Sequence, residues 1–202
     1  MSKKNTTKQY DWKKRPLSWS AISSFEYDPE QWYKKYYLNE EQSTTKEMEF
    51  GKRIGKMLET DPKFLPSIQR HSKMEYPFLI KFGKLKLIGF ADSFCDKTFR
   101  KLSEFKTGKK AWDQARADTH GQLDMYCLMN YIQNKIKPED VEIQLVWMPT
   151  QDNSDFSITF IEPIEKNIKV FKTKRTMMHI LKFGERINRV YKEMELYVKN
   201  HK

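Results

Sequence analysis

The fold is decided by residues 84–108, which read KLKLIGFADSFCDKTFRKLSEFKTG. Two runs in this stretch alternate apolar and polar side chains with the period of two that is typical of β-strands. We predict strands over 84–92 and 98–106, preceded by a third strand over 75–83. Because the turns between them are short, around Gly83-Lys84 and from Cys95 to Lys97, we expect an antiparallel meander.

Charged side chains stand near the ends of the last two predicted strands. Because side chains alternate across a strand, Asp92 shares a face with Ile88 and Phe90, and Glu104 shares a face with Lys106. An aspartate and a glutamate on adjacent strands form a hard oxygen site suited to Mg²⁺ or Mn²⁺. A neighbouring lysine can orient or help deprotonate a water molecule that attacks a phosphate. A solvated, charged hairpin would supply the same residues, so the pattern alone leaves both interpretations open.

Helical patterns surround the meander. Ser18 or Ser20 is expected to cap a first helix, and Asp28 followed by Pro29 a second one. Further helices are predicted over 46–60, 111–134 and 173–200, and further strands over 141–148 and 156–162. The order lacks a regular βαβ repeat, so we predict a mixed α+β fold with a central mixed sheet flanked by helices.

Two helices are expected to bring polar groups to the acidic pair. Gly51, Gly55 and Glu59 share one stripe of the helix over 46–60. Since glycine destabilises a helix by about 1 kcal/mol relative to alanine, the two glycines suggest a close backbone approach, which would place Glu59 beside the site. On the later helix, Gln122 and Tyr126 share a stripe and would contact phosphate or the carboxylates; an ordinary helix rim is the alternative.

Composition restricts the possible functions. The 202 residues carry a net charge of +11, unevenly distributed: residues 1–16 have six bases and one acid, and residues 165–202 have eleven bases and four acids. The middle of the chain has 21 bases and 22 acids, so the basic ends indicate a polyanionic partner.

Cys95 and Cys127 are too few for a zinc ribbon or an iron–sulfur cluster. No apolar run indicates a membrane span or a signal peptide, so we expect a cytoplasmic protein without a membrane partner.

Basic and aromatic residues follow the third strand. Lys109 and Lys110 predict a rim that contacts phosphate, and the adjacent Trp112 is a candidate for stacking on an exposed base. The four histidines have no metal-ligand spacing, and only His120 lies close to a predicted site residue.

Four motifs in this order resemble the PD-(D/E)XK nuclease superfamily, and specifically its RecB-like exonuclease branch. They are Glu59, the G-x-x-D run ending at Asp92, the E-x-K run from Glu104 to Lys106, and the Q-x-x-x-Y run from Gln122 to Tyr126. The opening segment LSWSAISSFEYDPEQWYKKYYL is similar to the N-terminal helical segment of that branch, and the resemblance covers roughly residues 17–162.

The resemblance implies a restriction-endonuclease-like core and a Mg²⁺- or Mn²⁺-dependent DNA nuclease of phage or bacterial recombination and repair. It also implies that Asp92, Glu104 and the carbonyl of Phe105 bind metal, that Glu59 is the helical acid, and that Lys106 is the catalytic lysine. Gln122 and Tyr126 would support the site or the DNA.

Two departures from the family pattern stand out. Gly55 stands where many members have a histidine, which puts a second metal ion in doubt. Asp28 stands where several relatives have a cysteine, which excludes the iron–sulfur subgroup.

Two functions follow from these patterns. The first is an exonuclease, with residues 1–16 as a flexible basic arm, residues 17–202 as one nuclease domain ending in a long basic helix, and a recombination or single-strand-annealing protein as a possible partner. The second is a non-catalytic nucleic-acid-binding module or assembly subunit with the same fold. The sequence leaves the oligomeric state, the strand polarity and the choice between single and double strands open.

Overall fold

The centre of the molecule is a five-stranded mixed sheet. The structure is a computed structural model that describes residues 12–150 and 164–201. Its strands are β1 (Lys73–Phe82), β2 (Leu85–Phe94), β3 (Lys101–Gly108), β4 (Glu142–Pro149) and β5 (Lys169–Thr173). Strands β1, β2 and β3 form the predicted antiparallel meander, β4 adds parallel to β3, and β5 adds antiparallel to β4. The predicted mixed α+β class is confirmed.

Helices cover both faces of this sheet. They are α1 (Trp19–Tyr27), α2 (Pro29–Trp32), α3 (Lys46–Thr60), α4 (Gln114–Asp118), α5 (Gly121–Asn134) and α6 (Met177–Asn200). A π-helical turn, Tyr33–Tyr37, continues α2. Helices α1, α5 and α6 pack together on the side of β1 and β2 that carries the main hydrophobic core, whereas α3 packs through a second core on β3 and β4.

Short polar side chains fix where the N-terminal helices begin. The Ser18 hydroxyl accepts the Ala21 N–H, so α1 begins at the first of the two predicted caps. Asp28 accepts the Gln31 N–H, and Pro29 occupies the first helical position as predicted. The aromatic segment that begins at these caps packs against α6, where Phe25 and Tyr33 contact the Tyr197 ring.

The helix predicted over 111–134 is in fact two helices. It breaks between Asp118 and Gly121, where the chain leaves helical geometry at Thr119 and His120. The fully buried guanidinium of Arg175 donates hydrogen bonds to the carbonyls of Ala117 and His120 and pairs with the Asp124 carboxylate. Backbone groups freed by the break are therefore satisfied by a side chain from far along the chain, which no local pattern reveals.

The C-terminal region also differs from the prediction. Residues predicted to begin a helix at 173 instead end a short edge strand, β5, and α6 starts at Met177 behind the Thr176 cap. The strand predicted over 156–162 lies outside the described residues, as do residues 1–11 of the predicted N-terminal arm. Within the rest of that arm, Lys13 pairs with Glu195 of α6 at 2.6 Å.

The sheet splits between β2 and β3. These strands pair only at Ser93 with Ser103 and at Phe94 with Leu102, and beyond those pairs they separate. Leu17 fills one end of the gap, because its N–H donates to the Lys86 carbonyl and its carbonyl accepts the Ile88 N–H. The open part of the gap, which we call the split, lies between residues 89–92 and 104–107.

In the described part of the chain, the helices are all too short or too polar to span a bilayer.

Gly121, which begins α5 beside the split, has no space for a side chain. A Cβ there would lie 2.5 Å from Cζ3 of the partly buried Trp19 ring. Gly121→Ala is therefore expected to lower the free energy of unfolding by about 1 to 3 kcal/mol, measured by urea denaturation. Gly55→Ala is the matched control, since nothing lies within 4 Å of its Cβ position, and should raise stability by about 1 kcal/mol through helix propensity. Equal effects of the two substitutions on stability would contradict the close packing of Gly121 against the Trp19 ring.

Candidate active site

The split places two carboxylates side by side. An Asp92 oxygen, Oδ2, accepts the backbone N–H of Phe105 at 2.6 Å and so replaces a hydrogen bond that the separated strands cannot make. Glu104 is 1% exposed, and its Oε1 accepts from the Lys106 ammonium at 2.6 Å. The other oxygen of Glu104, Oε2, is buried and has no hydrogen-bond partner among the described residues. A buried carboxylate oxygen without a donor is costly unless a proton or a cation satisfies it.

A chain of hydrogen bonds links these carboxylates to α5. The Lys106 ammonium also donates to Oε1 of Gln122 at 2.8 Å, and the Gln122 amide donates to the Tyr126 hydroxyl at 2.7 Å. The Tyr126 hydroxyl in turn donates to the carbonyl of Phe90 on β2. Gln122 and Tyr126 therefore connect Lys106 to the unpaired edge of β2.

The glycine of the G-x-x-D run is needed for this arrangement. A Cβ on Gly89 would stand 2.9 Å from Cε1 of Tyr126, closer than side chains pack. The tyrosine ring lies directly on the strand backbone because position 89 has no side chain.

Burial and mutual repulsion disturb the proton affinities of the acids. The pKa of Asp92 lies well above its ordinary value, first because the group is buried and second because the Glu104 charge is close. Burial also raises the pKa of Glu104, while the ammonium of Lys106 opposes that shift. The pKa of Tyr126 is raised by burial and by both carboxylates, so its hydroxyl remains a donor. Such a cluster of perturbed groups is typical of functional sites.

A cavity of about 260 Å³ opens in front of these groups. Helix α3 forms one wall and the split forms the other, with Asp92, Phe105 and Lys106 exposed to the space. On the helix wall, a Cβ at Gly51 would lie 3.2 Å from the Thr107 hydroxyl, so the expected close approach is present there. At Gly55 it is absent, because that position opens into the cavity.

Glu75 is a cavity residue that belongs to none of the four sequence motifs. The hairpin register pairs Met74 with Ser93 and Tyr76 with Ala91, which puts Glu75 opposite Asp92. Its φ of 49° lies in the left-handed region that side chains rarely adopt. Burial and then the negative charges of Glu104 and Glu59 raise the pKa of Glu75. If residues of the two strands are paired outward from the turn at Gly83-Lys84, Glu75 falls opposite Asp92, so the sequence contains the signal that indicates this residue.

Glu59 lies near the site and does not line the cavity. Its side chain is 37% exposed and pairs with Lys56 at 2.9 Å on the same helix. Its charge still reaches Glu75, and in the structure Glu75 occupies the cavity position predicted for the helical acid.

Trp112 does not offer a stacking surface, contrary to expectation. It is 8% exposed and packs with Leu145 and Trp147, and the Arg116 guanidinium lies 3.8 Å from its ring centroid. A local pattern cannot show that a tryptophan after a turn folds back under the sheet. Lys109 and Lys110 are exposed in the turn that follows β3.

His120 lies behind Lys106, with its ring 5.0 Å from that of Trp112. Burial, followed by the charge of Lys106, lowers the pKa of His120 to about 4, so the ring is neutral near pH 7. Its Nε2 has no hydrogen-bond partner in the described part of the chain.

The oxygen atoms in the split suit a hard divalent cation. Within residues 12–150 and 164–201, no three histidine, cysteine or acidic side chains are grouped as a complete metal cage. Mg²⁺ does not need one, because it binds through one or two carboxylates and takes its other ligands from water and phosphate. Asp92 and Glu104, with the orphaned Oε2 of Glu104, fit that requirement.

The chain has a weak likeness to solved structures. The chain is similar to the crystal structure of a candidate exonuclease from Eubacterium rectale, with a TM-score of 0.40 and 12% identity over 89% of this chain. It spans 64% of that protein's length. No family model matches the sequence. No curated protein matches it either.

The raised pKa of Asp92 predicts how stability depends on pH. In the unfolded chain an aspartate loses its proton near pH 4, whereas folded Asp92 keeps it to higher pH, so native stability falls as pH rises through the folded pKa. In a chelator, Asp92→Asn should therefore be more stable than the parent at pH 8, and the difference should shrink towards pH 4, as followed by urea denaturation.

The matched control for this experiment is Asp118→Asn. Hydrogen bonds from Thr173 and Gln114 lower the pKa of Asp118, so loss of its charge should not stabilise the protein at pH 8. If Asp92→Asn and Asp118→Asn had the same pH profile, the electrostatic description of the split would be wrong.

Proposed function

We propose that the protein is a metal-dependent DNA nuclease that hydrolyses phosphodiester bonds at the split. One observation supports this above the others: a buried carboxylate oxygen, Oε2 of Glu104, lacks a hydrogen-bond partner among the described residues, next to the partly buried Asp92, which lines an open cavity. Purely structural acids in a protein interior are normally paired. Burial, and after it repulsion from Glu104, raises the pKa of Asp92, and both effects favour a cation as the missing partner.

Asp92 and Glu104 would hold the metal, and the Phe105 carbonyl is the nearby backbone candidate ligand. A bound Mg²⁺ or Mn²⁺ would supply positive charge that offsets the repulsion between the acids and a phosphate. The chain's own residues set the geometry, because the Asp92 bond to the Phe105 N–H fixes one carboxylate and the bond to Lys106 fixes the other.

Lys106 would position the attacking water and offset charge that develops on the phosphate. Its ammonium is held between Glu104 and Gln122, and its side chain is 26% exposed, so it reaches the cavity while it is anchored from behind. Fixed donors of this kind need no reorganisation during the reaction and so lower the barrier.

DNA fits the charge distribution of the chain. Residues 165–202 carry eleven bases and four acids, and residues 1–16 carry six bases and one acid. Lys52 on α3 lines the cavity, and Lys109 and Lys110 extend the positive charge beyond β3. Phosphate contacts of this kind position DNA without reading its sequence. We therefore propose a role in recombination, repair or phage DNA processing, with an annealing protein as a candidate partner.

Removal of the lysine should separate catalysis from binding. Lys106→Ala is expected to reduce cleavage of linear DNA in Mg²⁺ by about 10²- to 10⁴-fold while duplex binding changes little. Cleavage is followed on end-labelled DNA, and binding by anisotropy in a chelator. Lys63→Ala, which removes an exposed lysine after α3, is the matched control and should cleave as the parent does.

Full activity of Lys106→Ala would contradict the proposal, and so would intact DNA after incubation of the parent protein with Mg²⁺ or Mn²⁺. The second outcome, together with salt-sensitive binding that ignores Asp92 and Glu104 substitutions, would support a non-catalytic binding module instead.

A comparison of linear with circular DNA tests whether the protein cleaves at DNA ends or within a strand. An exonuclease requires an end, so linear duplex should be degraded progressively while covalently closed circular DNA remains intact. Addition of a chelator should stop the reaction. Cleavage of circular DNA at a rate equal to that of linear DNA would assign an endonuclease.

A further inference from the structure

One face of the β1–β2 hairpin is apolar and uncovered by the described residues. The register places Pro77 opposite Phe90 and Leu79 opposite Ile88, so all four side chains lie on the same face. Leu79 is 61% exposed and Phe90 is 50% exposed. None of the four belongs to a hydrophobic cluster within residues 12–150 and 164–201. We call these four residues, together with Lys81 and Lys86, the open hairpin face.

The face is exposed because the helices are unevenly distributed. Helices α5 and α6 bury the opposite side of the hairpin, where Phe78 and Leu87 are fully buried. Helix α3 lies on the same side of the sheet as the open hairpin face, but its core contacts are to β3 and β4. The hairpin therefore projects beyond α3 with one apolar side towards solvent.

The open hairpin face leads directly to the carboxylates. Glu75 and Asp92 occupy the next opposed position along the same two strands, and both line the cavity. At about 3.3 Å per residue, Phe90 lies roughly 7 Å along the strand from Asp92, and Lys86 lies roughly 20 Å from it. A chain lying along the strands would pass from lysines over apolar side chains to the cavity.

Charge distinguishes the two ends of this path. Lys81 and Lys86 are opposed at the far end, with Lys84 in the turn beyond them, and the open hairpin face itself contains no acid. The acids are confined to the cavity end. An elongated polyanion that carries apolar groups would fit this surface. Its charges would meet Lys81 and Lys86, and its apolar groups would meet the Phe90 ring.

We propose that the open hairpin face binds the unpaired strand of a DNA substrate next to the catalytic cavity. Unpaired bases stack on aromatic side chains, whereas bases inside a duplex present no free ring face to Phe90. Lys81 and Lys86 would contact the phosphates. Four apolar side chains are too few to build a stable interface between copies of the chain, which needs about 1,000 Å² or more. The inference rests on the proposed nuclease function, because it names the strand that reaches the split.

The test measures binding without cleavage. Parent protein and variants are titrated in a chelator with fluorescein-labelled dT12 and, separately, with a 12-base-pair duplex, and anisotropy is recorded. Phe90→Ala should weaken dT12 binding by about tenfold and leave duplex binding nearly unchanged, whereas Phe90→Trp should keep dT12 affinity within about twofold. Tyr27→Ala, which removes a 91% exposed aromatic ring on α1, is the matched control and should have no effect.

The lysines are tested through the salt dependence of binding. Since each phosphate contact to a single strand contributes about 0.7 to the slope of log affinity against log salt, Lys81→Gln with Lys86→Gln should reduce that slope by about 1.4. The paired control is Lys34→Gln with Lys35→Gln on the π-helical turn. An unchanged slope in the hairpin variant would contradict the phosphate contacts.

Other occupants give different results. If Phe90→Ala leaves dT12 affinity unchanged but lowers the apparent mass in sedimentation, a second copy covers the face and the proposal is wrong. If it lowers only the melting temperature, another segment of the chain covers the face and the proposal is equally wrong. Because the assay needs no cleavage, a protein that binds as predicted but never cuts DNA would overturn the nuclease proposal alone.

Discussion

The hydrogen bond from the Phe105 N–H to the Asp92 carboxylate is the contact on which the site depends. Strands β2 and β3 are paired at only two positions, so their backbones cannot satisfy each other over the rest of their length. The Asp92 side chain therefore bonds to a backbone N–H that the neighbouring strand leaves unpaired. The adjacent acid, Glu104, stays 1% exposed on the face of β3 that carries Lys106. The Tyr126 hydroxyl of α5 likewise donates a hydrogen bond to the Phe90 carbonyl, which β3 leaves unpaired. A regular sheet would have closed this space.

Local sequence patterns predict the parts of this arrangement that depend on neighbouring residues. The alternation in 84–108 predicts the meander, and the Ser18 and Asp28 caps predict two helix starts. The spacing of Glu104 and Lys106 predicts that they share a face of the strand, and in the structure their side chains form an ion pair there. Gln122 and Tyr126 were placed on one helix stripe, and their mutual hydrogen bond follows from that spacing. The assigned roles of these residues stay predictions.

Features that depend on distant residues were missed. Arg175 divides the predicted helix at 119–120 from across the molecule, and Trp112 is buried by residues of β4. Glu75 could have been found by counting from the hairpin turn, but its left-handed backbone could not, because strain of that kind follows from the surrounding packing. Glu59 lies on the predicted helix stripe and pairs with Lys56, and it does not line the cavity; its role as the helical acid stays a prediction.

Leu17 has a consequence for the order in which the molecule folds. It forms its bridge with Leu87, so the segment that introduces α1 cannot dock until the β1–β2 hairpin exists. Local hairpin contacts close quickly, whereas this bridge requires the ends of a long loop to meet. During synthesis α1 and α2 would emerge before β2 and α6 and would lack these packing partners until they follow. Helix α6, which is made after the sheet, is then the element that completes the packing around α1.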